Sequence, residues 1–453
     1  MNGTASVLRR SLRACTFDGA SAAAMIGFGE TYFPAFALLL GATPFQVGLI
    51  ATVPILVGAT FQLVATVAAH RIGDRLWVIG SALLQALTFV PIAWLARGAA
   101  GKFSLLFIWV CAYWMLNLGL GPAWNAWMGR MIPPLIRSRF FGRRNVAVQS
   151  LLFFSLVAAG FLIDAAQRTT LGARVGFAAS FSLAAVSRLV SAWLLARQHD
   201  PGAAAPRPTR VPTRHLLRRF TGQSYGRVIL MIVLMIGSVN ISAAYFTPFM
   251  LQGLKLSYAR FTILTAASVV ARILSSPYWG EIARTHGNGR ALQVSGALII
   301  PLSSLWLVSD NFGYLIGLQV VAGFAWAGFE LTTILNLLDC TDDENRAQVL
   351  SIYSLLNGVL IVAGSLLGGT VMHALGDRGY TVIFVVSSLC RALVMFTMAR
   401  GVGVRRRSSE HSFRDVLLRV VTLRPSEGED VGAVVLDEET HRVEPTRRPS
   451  SGA

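Results

Sequence analysis

Five ionisable residues lie within long apolar stretches of the chain: Glu30, Arg188, Arg272, Glu330 and Arg391. A charge in such a stretch is costly, so it tends to face a partner or a water-filled cavity. A carboxyl held away from water favours its protonated form, which lets it load and release a proton as its surroundings change. A guanidinium at the same depth can pair with a carboxylate or hold an anionic ligand. These residue types predict proton transfer and anion binding within a membrane.

Glu30 is the strongest candidate for proton coupling, because it lies in mid-stretch between Gly29 and Pro34. Glycine and proline weaken a helix at this point and allow it to bend. The alternative is a protonated Glu30 that is hydrogen-bonded within a helix bundle. For Glu330 the alternative to proton coupling is a gate or a helix-cap contact.

The three arginines at depth have different expected roles. Arg272 could pair with either carboxylate or hold an anionic substrate, and the sequence leaves this choice open. Arg188 and Arg391 occupy equivalent positions of an internal repeat. We therefore expect these two side chains to be structural, bonding to neighbouring carbonyls or reaching towards the membrane surface.

Composition places these residues in a bilayer. With 54% hydrophobic and 14% charged residues and a mean hydropathy of +0.58, a chain of 453 residues has too little polar surface for a soluble protein. A helix needs about 20 apolar residues to cross the hydrocarbon core. The sequence predicts twelve such runs, near 17–41, 46–69, 76–97, 103–129, 146–166, 174–196, 227–251, 259–283, 291–309, 312–338, 347–374 and 380–400.

The second half of the chain repeats the first at an offset of 203 to 216 residues. Long repeats made of hydrophobic runs are typical of transporters built from two similar membrane bundles around a central site. The paired positions include Tyr32 with Tyr245, Gly73 with Gly287, Gly80 with Gly296, and Arg188 with Arg391.

Basic residues predict how the runs are oriented, because Lys and Arg next to short loops stay on the cytoplasmic side. With a cytoplasmic N-terminus, twenty Lys or Arg residues fall on the inner side and seven on the outer side. We therefore predict a multi-pass protein of a plasma membrane or bacterial inner membrane with both termini in the cytoplasm. The net charge of +18 follows from this topology and from contact with anionic lipid, so we expect no nucleic-acid partner.

The predicted domains are a first bundle at 1–196, a cytoplasmic linker at 197–226, a second bundle at 227–400 and a cytoplasmic tail at 401–453. Four prolines interrupt the linker, and the mixed charges of the tail are typical of disorder. An alternative for part of the tail is an amphipathic helix resting on the inner leaflet, formed by Phe413, Val416, Leu417 and Val420.

Several functions are excluded or disfavoured by missing motifs. The chain has no Walker sequence, no Cys-x-x-Cys pair, no histidine cluster and no Gly-x-Ser-x-Gly sequence. We therefore expect no enzyme activity, no ATP hydrolysis, no metal site and no cofactor. The four cysteines are expected to be structural or incidental thiols.

Two loops resemble the signature of the major facilitator superfamily, which lies between spans two and three and again between spans eight and nine. The second copy carries Gly280, Gly287 and Arg290 at matching positions, with Arg284 where the superfamily has Asp. The first copy keeps the turn with Asp74 and Arg75. Both copies are degenerate, so the resemblance implies gating loops whose usual charge contact is altered.

Further loops after spans four and ten are similar to those of the same superfamily, with Arg139 and Arg346 at corresponding places. The alternative for these two arginines is topology alone. Span eleven contains Gly364, Gly368 and Gly369, whose small side chains predict close helix packing.

The resemblance covers about residues 10 to 400 and implies an all-α membrane fold of twelve transmembrane helices in two pseudo-symmetric six-helix bundles. It implies a monomeric secondary transporter that moves a small solute by alternating access, driven by protons. The alternatives are a transporter-shaped ligand sensor without flux and a lipid flippase. In this superfamily spans one, four, seven and ten line the cavity, so substrate contacts are expected from Trp124, Asn125, Asn117, Asn240, Tyr245 and Asn336, with packing or interhelical hydrogen bonds as the alternative for each.

Overall fold

The computed structural model describes residues 2–96, 103–170, 172–202, 224–339 and 346–398, and all regular structure over these residues is helical. We call the side of the bilayer where the first span begins and the last span ends the terminal side. The other side is called the opposite side.

The first half forms six spans. Span 1 is interrupted, with a helix at Asn2–Phe28, a 3-10 turn at Glu30–Tyr32 and a short helix at Phe33–Leu39. The next five spans are continuous helices. They are span 2 at Pro44–Ile72, span 3 at Asp74–Leu95, span 4 at Phe103–Met131, span 5 at Pro134–Gln167 and span 6 at Gly172–Ala196.

The second half repeats this arrangement. Span 7 is also interrupted and runs through a helix at Ser224–Ala243, a single turn at Phe246–Pro248 and a π-helical turn at Phe249–Gly253. The remaining spans are span 8 at Tyr258–His286, span 9 at Asn288–Ile299 with Leu302–Leu305, span 10 at Phe312–Asp339, span 11 at Arg346–Leu375 and span 12 at Gly379–Met398.

Span 9 is divided into two helices. Within the described residues, eleven helices are long and apolar enough to cross a membrane individually, and span 9 is not among them. Its first helix has only 12 residues, and the helix stops at Ile300, directly before Pro301. Proline lacks a backbone donor and its ring clashes with the carbonyl one turn earlier, which explains the break. The two pieces together make the twelfth crossing.

Equivalent turns show how the repeat sets local structure. Thr43 begins span 2 with a capping box to Gln46, and Ser257 begins span 8 by accepting a hydrogen bond from the backbone nitrogen of Arg260. Spans 2 and 8 end at Gly73 and Gly287, with φ of 100° and 85° respectively. Only glycine adopts this backbone conformation at low cost, so the same residue type ends both helices.

The two bundles meet along two pairs of spans. Span 2 packs against span 11, and span 5 packs against span 8, while the remaining large helix contacts lie within each bundle.

The predicted close approach of span 11 is confirmed. A Cβ atom on Gly364 would lie 2.2 Å from the carbonyl oxygen of Gly237, and one on Gly368 would lie 2.1 Å from that of Ile241.

Two boundaries differ from the sequence prediction. Span 1 begins at Asn2, about four turns before the apolar run near residue 17, because the helix continues through the basic N-terminal segment. Residues 197–202 of the predicted linker continue directly from span 6 and are held against spans 1 and 4. The rest of the linker at 203–223, the tail and its predicted amphipathic segment lie outside the described residues.

Candidate functional site

Glu30 lies at the interruption of span 1. It is the first residue of the 3-10 turn, and its Oε2 accepts a hydrogen bond of 2.6 Å from the hydroxyl of Tyr113 on span 4. The helix breaks directly after Gly29, where a Cβ atom would lie 2.4 Å from the ring of Phe89. Glycine therefore allows span 1 to approach span 3 closely at the residue before the carboxyl.

The carboxyl of Glu30 points into an aromatic cluster of the first bundle. Tyr113 is fully buried, and its ring packs edge-on against Phe33 and Phe89. Phe181 on span 6 completes this part of the cluster. Water is excluded on the side of Tyr113, so its hydroxyl is the polar partner that the surroundings provide for Glu30.

A second carboxyl of span 1, Asp18, was missed by sequence reasoning. It is buried, and its Oδ1 accepts a hydrogen bond of 2.6 Å from the hydroxyl of Ser191. Arg188 in turn donates to the same Ser191 hydroxyl over 2.9 Å. Ser191 therefore links the guanidinium of Arg188 to the carboxyl of Asp18.

Arg272 pairs with Glu330, which answers a question that the sequence left open. The Nη1 atom of Arg272 lies 2.9 Å from Oε1 of Glu330 and 3.2 Å from its Oε2. The two side chains keep 38% and 48% of their surface exposed. The ion pair is therefore accessible to water or a solute.

The Arg272–Glu330 pair faces the interior of the molecule. Leu274 is 74% exposed and marks the lipid-facing side of span 8. Residues two positions apart on a helix are separated by about 200°, so Arg272 points away from the lipid. Trp279 lies near the same face as Arg272, and it packs against Gly328 of span 10. Arg272 therefore lies on the face of span 8 that packs towards span 10, away from the most exposed side of that helix.

Arg391 on span 12 is buried among neutral groups. Its guanidinium donates to the carbonyl oxygen of Ile299 over 2.9 Å and to the hydroxyls of Ser242 and Ser387 over 3.1 and 2.8 Å. These contacts bring spans 7, 9 and 12 together. The expected bonding to a neighbouring carbonyl is confirmed for Arg391, whereas Arg188 uses a serine and lies near a carboxylate.

Three predicted substrate contacts donate hydrogen bonds to backbone carbonyls. Asn240 donates to the carbonyl of Ile236 one turn earlier. Tyr245 is fully buried and donates to the carbonyl of Ser365 on span 11 over 2.6 Å. The amide of Asn336 donates to the carbonyls of Thr332 and Asn288 over 2.7 and 3.0 Å. The contacts of Tyr245 and Asn336 between helices are those of the structural alternative, whereas the hydrogen bond of Asn240 stays within its own helix.

The other three predicted contacts lie on span 4. Asn117 is half-buried and Asn125 is exposed. Trp124 lies 4.9 Å from the guanidinium carbon of Arg144, which also donates to the carbonyl of Cys15 on span 1 over 3.1 Å. Arg144 therefore links span 5 to spans 1 and 4.

The first gating loop has two defined contacts. Asp74 forms an ion pair of 2.7 Å with Arg130 at the terminal end of span 4. Arg75 donates to the carbonyl of Ala196 at the end of span 6 over 2.7 Å. Both contacts stay within the first bundle.

In the second loop, Gly287 ends span 8, and Gly280 lies within span 8 facing open space. Arg290 lies in the first turns of span 9 and is half-buried. The backbone of Arg139 lies in span 5 and that of Arg346 begins span 11, but their side chains are outside the described residues. In the described part of the chain, no group of three or more His, Cys, Asp or Glu residues could hold a metal ion.

On the opposite side, spans 1 and 5 are joined to span 8. The hydroxyl of Tyr32 donates to Leu156 of span 5 and shares a hydrogen bond with Thr262 of span 8, each over 2.8 Å. The carboxylate of Asp164 accepts the backbone nitrogen of Ala259 over 3.2 Å. These contacts join the bundles at a position nearer to the opposite side of the bilayer than Glu30.

On the same side, Ser365 of span 11 donates to the carbonyl of Gly48 on span 2 over 3.2 Å. A Cβ atom on Gly48 would lie 2.5 Å from the hydroxyl of Tyr245, so span 2 also meets span 7 closely. Two sets of contacts therefore hold the bundles together on the opposite side.

Comparison with known families agrees with this architecture. The model of the Major Facilitator Superfamily matches residues 19–258 and again residues 228–426. The chain belongs to this superfamily. Its members are transporters, so the protein is a membrane transporter with twelve spans in two six-helix bundles.

Solved structures of transporters share this fold. The nucleoside transporter NupG aligns with a TM-score of 0.66 at 12% identity, covering 86% of this chain and 98% of NupG. The D-xylose-proton symporter aligns with a TM-score of 0.62 at 15% identity, covering 87% and 98%. A bacterial homologue of the human lysosomal transporter Spinster, in an inward-facing, unoccupied conformation, aligns with a TM-score of 0.60 at 14% identity, covering 89% and 99%.

One curated relative is human Solute carrier family 67 member A1. It is 27% identical over 154 residues, which is 33% of this chain. The matched segment spans only about a third of that relative, 36% of its length. This similarity agrees with the superfamily assignment and identifies no substrate.

Proposed function

We propose that the protein is a proton-coupled secondary transporter of a small solute that works by alternating access, with both termini in the cytoplasm. The observation that carries the proton coupling is the carboxyl of Glu30, placed at a break in span 1 and hydrogen-bonded by Tyr113 of span 4. Spans 1 and 4 are cavity-lining spans in this superfamily. A movement of one span against the other would alter the access of water to Glu30 and with it the binding of a proton.

Alternating access is supported by the uneven distribution of contacts between the bundles. Hydrogen bonds from Tyr32 to Thr262 and from Ser365 to Gly48 join the bundles on the opposite side. The partly exposed Arg272–Glu330 pair lies at the middle of span 8 and in the half of span 10 that is nearer the terminal side. This arrangement supports a state open to the cytoplasm, from which the bundles would rock to release the contacts on the opposite side.

The Arg272–Glu330 pair is the proposed contact for a polar or anionic group of the solute. A half-exposed ion pair contributes little to stability, so a ligand can compete for the guanidinium without a large cost. An anionic group bound to Arg272 would release Glu330, which could then take up a proton. The D-xylose-proton symporter and NupG support a small solute as cargo, with protons as the coupling ion in the first case.

The test measures flux in proteoliposomes with an imposed pH gradient. Sugars and nucleosides are first screened for compounds that raise the melting temperature, because binding to the native state stabilises it. For a compound that binds, Glu30→Gln should reduce proton-driven accumulation at least tenfold, since glutamine cannot carry a proton, while exchange of solute in the absence of a gradient continues.

The matched control is Glu281→Gln, which removes a carboxylate that pairs with Arg284 at the surface. It should leave accumulation unchanged. Unaltered pH dependence in Glu30→Gln would remove Glu30 from the mechanism. Binding without flux in the unmodified protein would favour a sensor, and movement of labelled lipid without solute flux would favour a flippase.

A further inference from the structure

A cleft of about 350 Å³ opens at the terminal ends of spans 1, 3 and 6, away from the space between the bundles. Its charged and polar lining comes from three separate parts of the chain. These are Arg10 and Ser11 of span 1, Arg75 of span 3, and Arg197, Gln198, His199 and Asp200 directly after span 6.

The walls of the cleft are fixed by hydrogen bonds. The backbone nitrogen of His199 donates to the hydroxyl of Ser11 over 3.1 Å, and its carbonyl accepts from the indole of Trp127 over 3.2 Å. Arg75 donates through Nη2 to the carbonyl of Ala196 over 2.7 Å. The segment after span 6 is thereby held to spans 1, 3 and 4, so the cleft is a built feature of the bundle.

The charge of the cleft favours an anion. Three guanidinium groups face one carboxylate, that of Asp200, whose Oδ1 accepts the backbone nitrogen of Gly202 over 3.2 Å. None of the ion pairs found among the described residues joins Asp200 to these arginines. The Nε atom of Arg75 is buried and has no hydrogen-bond partner in that part of the chain. A ligand with several acceptor oxygens would complement these donors.

Aromatic and apolar side chains lie beside the basic residues of the cleft. The guanidinium of Arg197 lies 3.5 Å from the ring centre of Trp193, which is exposed on span 6. Tryptophan is enriched at the boundary between hydrocarbon and water. Leu76, next to Arg75, is also exposed, so apolar surface continues from the cleft towards the hydrocarbon. A small soluble anion would leave this apolar surface uncovered, whereas the acyl chains of a lipid would cover it.

We propose that the cleft binds the phosphate of an anionic phospholipid from the leaflet on the terminal side. Arg75 and Arg197 hold the phosphate oxygens, Arg10 adds a third positive charge, and the acyl chains lie along Trp193 and Leu76. Basic pockets between transmembrane helices are suited to such head groups. The bound lipid would tie span 3 to the end of span 6, and this inference does not depend on the solute or on proton coupling.

The experiment compares the full-length protein in phosphatidylcholine nanodiscs with and without phosphatidylglycerol. Affinity is measured with a fluorescent phosphatidylglycerol probe, and retained lipid is counted by native mass spectrometry. The double variant Arg75→Gln/Arg197→Gln should weaken binding of the probe by about tenfold or more, because each charge-assisted hydrogen bond to phosphate is worth more than a neutral one. The matched control Arg9→Gln/Arg71→Gln removes two exposed charges outside the cleft and should bind like the unmodified protein.

Other outcomes would overturn the proposal. Equal losses in both double variants would mean that general surface charge attracts the lipid. Glycerol 3-phosphate that displaces the probe at the affinity of the lipid itself would assign the cleft to a soluble phosphate compound. Because Arg75→Gln also removes the bond to Ala196, Arg197→Gln alone is tested as well, and an unchanged affinity in this folded variant would likewise reject the site.

Discussion

The two halves of the chain bury an arginine at equivalent positions but surround it with different chemistry. In the first half, Arg188 shares Ser191 with the carboxylate of Asp18. In the second half, Arg391 is held by a carbonyl and two serine hydroxyls. The residue that corresponds to Asp18, at the 213-residue offset that relates Tyr32 to Tyr245, is Met231. The repeat therefore preserves the cation and its place in the fold, but not the anion beside it.

At another pair of equivalent positions, only the second half of the chain carries a charged residue. Arg272 on span 8 corresponds to Gly58 on span 2, at the same 214-residue offset that relates Gly73 to Gly287. A Cβ atom on Gly58 would lie 2.5 Å from the carbonyl of Trp114, so the first bundle uses this position for close packing. The second bundle uses it for an ion pair with Glu330. Two copies of one scaffold have thus specialised, one towards a buried polar network and the other towards an accessible ion pair.

The largest expected effect comes from removing the anion of the first bundle. Asp18→Asn removes the carboxylate that Ser191 links to the buried Arg188, and a hydrogen bond to a charged group contributes about 1.5–3 kcal/mol. We expect a marked fall in the melting temperature of the purified protein. The double variant Asp18→Asn/Arg188→Gln should recover a large part of that loss. If the single variant were as stable as the unmodified protein, Asp18 would not be the counter-ion of Arg188.

The corresponding change in the second bundle should be smaller. Ser242→Ala removes one of three hydrogen-bond partners of Arg391 and leaves the carbonyl of Ile299 and the hydroxyl of Ser387 in place. We expect a loss of about 1–2 kcal/mol in the free energy of unfolding. Measuring thermal unfolding of Ser242→Ala and Asp18→Asn side by side compares the surroundings of the two buried arginines. Equal losses of stability in the two variants would contradict the proposed difference between the bundles.

The smallest effect on stability is expected at the accessible pair. A double-mutant cycle of Arg272→Gln and Glu330→Gln should give a coupling free energy of about 0.2–1 kcal/mol, because both side chains are partly exposed. Solute flux, in contrast, should fall at least tenfold in Arg272→Gln under the proposed function. A coupling energy of several kcal/mol would instead make the pair a structural element.

The sequence predicted the repeat, the membrane class and the number of spans, because apolar runs of sufficient length have few alternative structures. It also identified Glu30, Arg272 and Glu330 as charges at depth. It could not decide which carboxylate meets Arg272, since that depends on how spans 8 and 10 face each other. This choice is set by packing contacts such as Trp279 against Gly328, which leave no periodic trace in the sequence.

Two features were missed for physical reasons that can be named. Asp18 lies at the edge of the apolar run, next to the basic N-terminal segment, and so resembled a residue at the membrane surface. The helix of span 1 extends back to Asn2, which places Asp18 well inside the bundle. The division of span 9 was also missed, because hydropathy alone does not register the effect of Pro301 on the backbone.

The contact between Gly160 and Thr262 sets how tightly the opposite side can close. A Cβ atom on Gly160 would lie 1.8 Å from the hydroxyl oxygen of Thr262, the same oxygen that meets Tyr32. One added methyl group would push span 5 away from span 8 at this point. The contacts on the opposite side could then not close fully. Under the proposed alternating access, a side chain larger than hydrogen at residue 160 would shift the balance of the two orientations towards the one that opens on the opposite side.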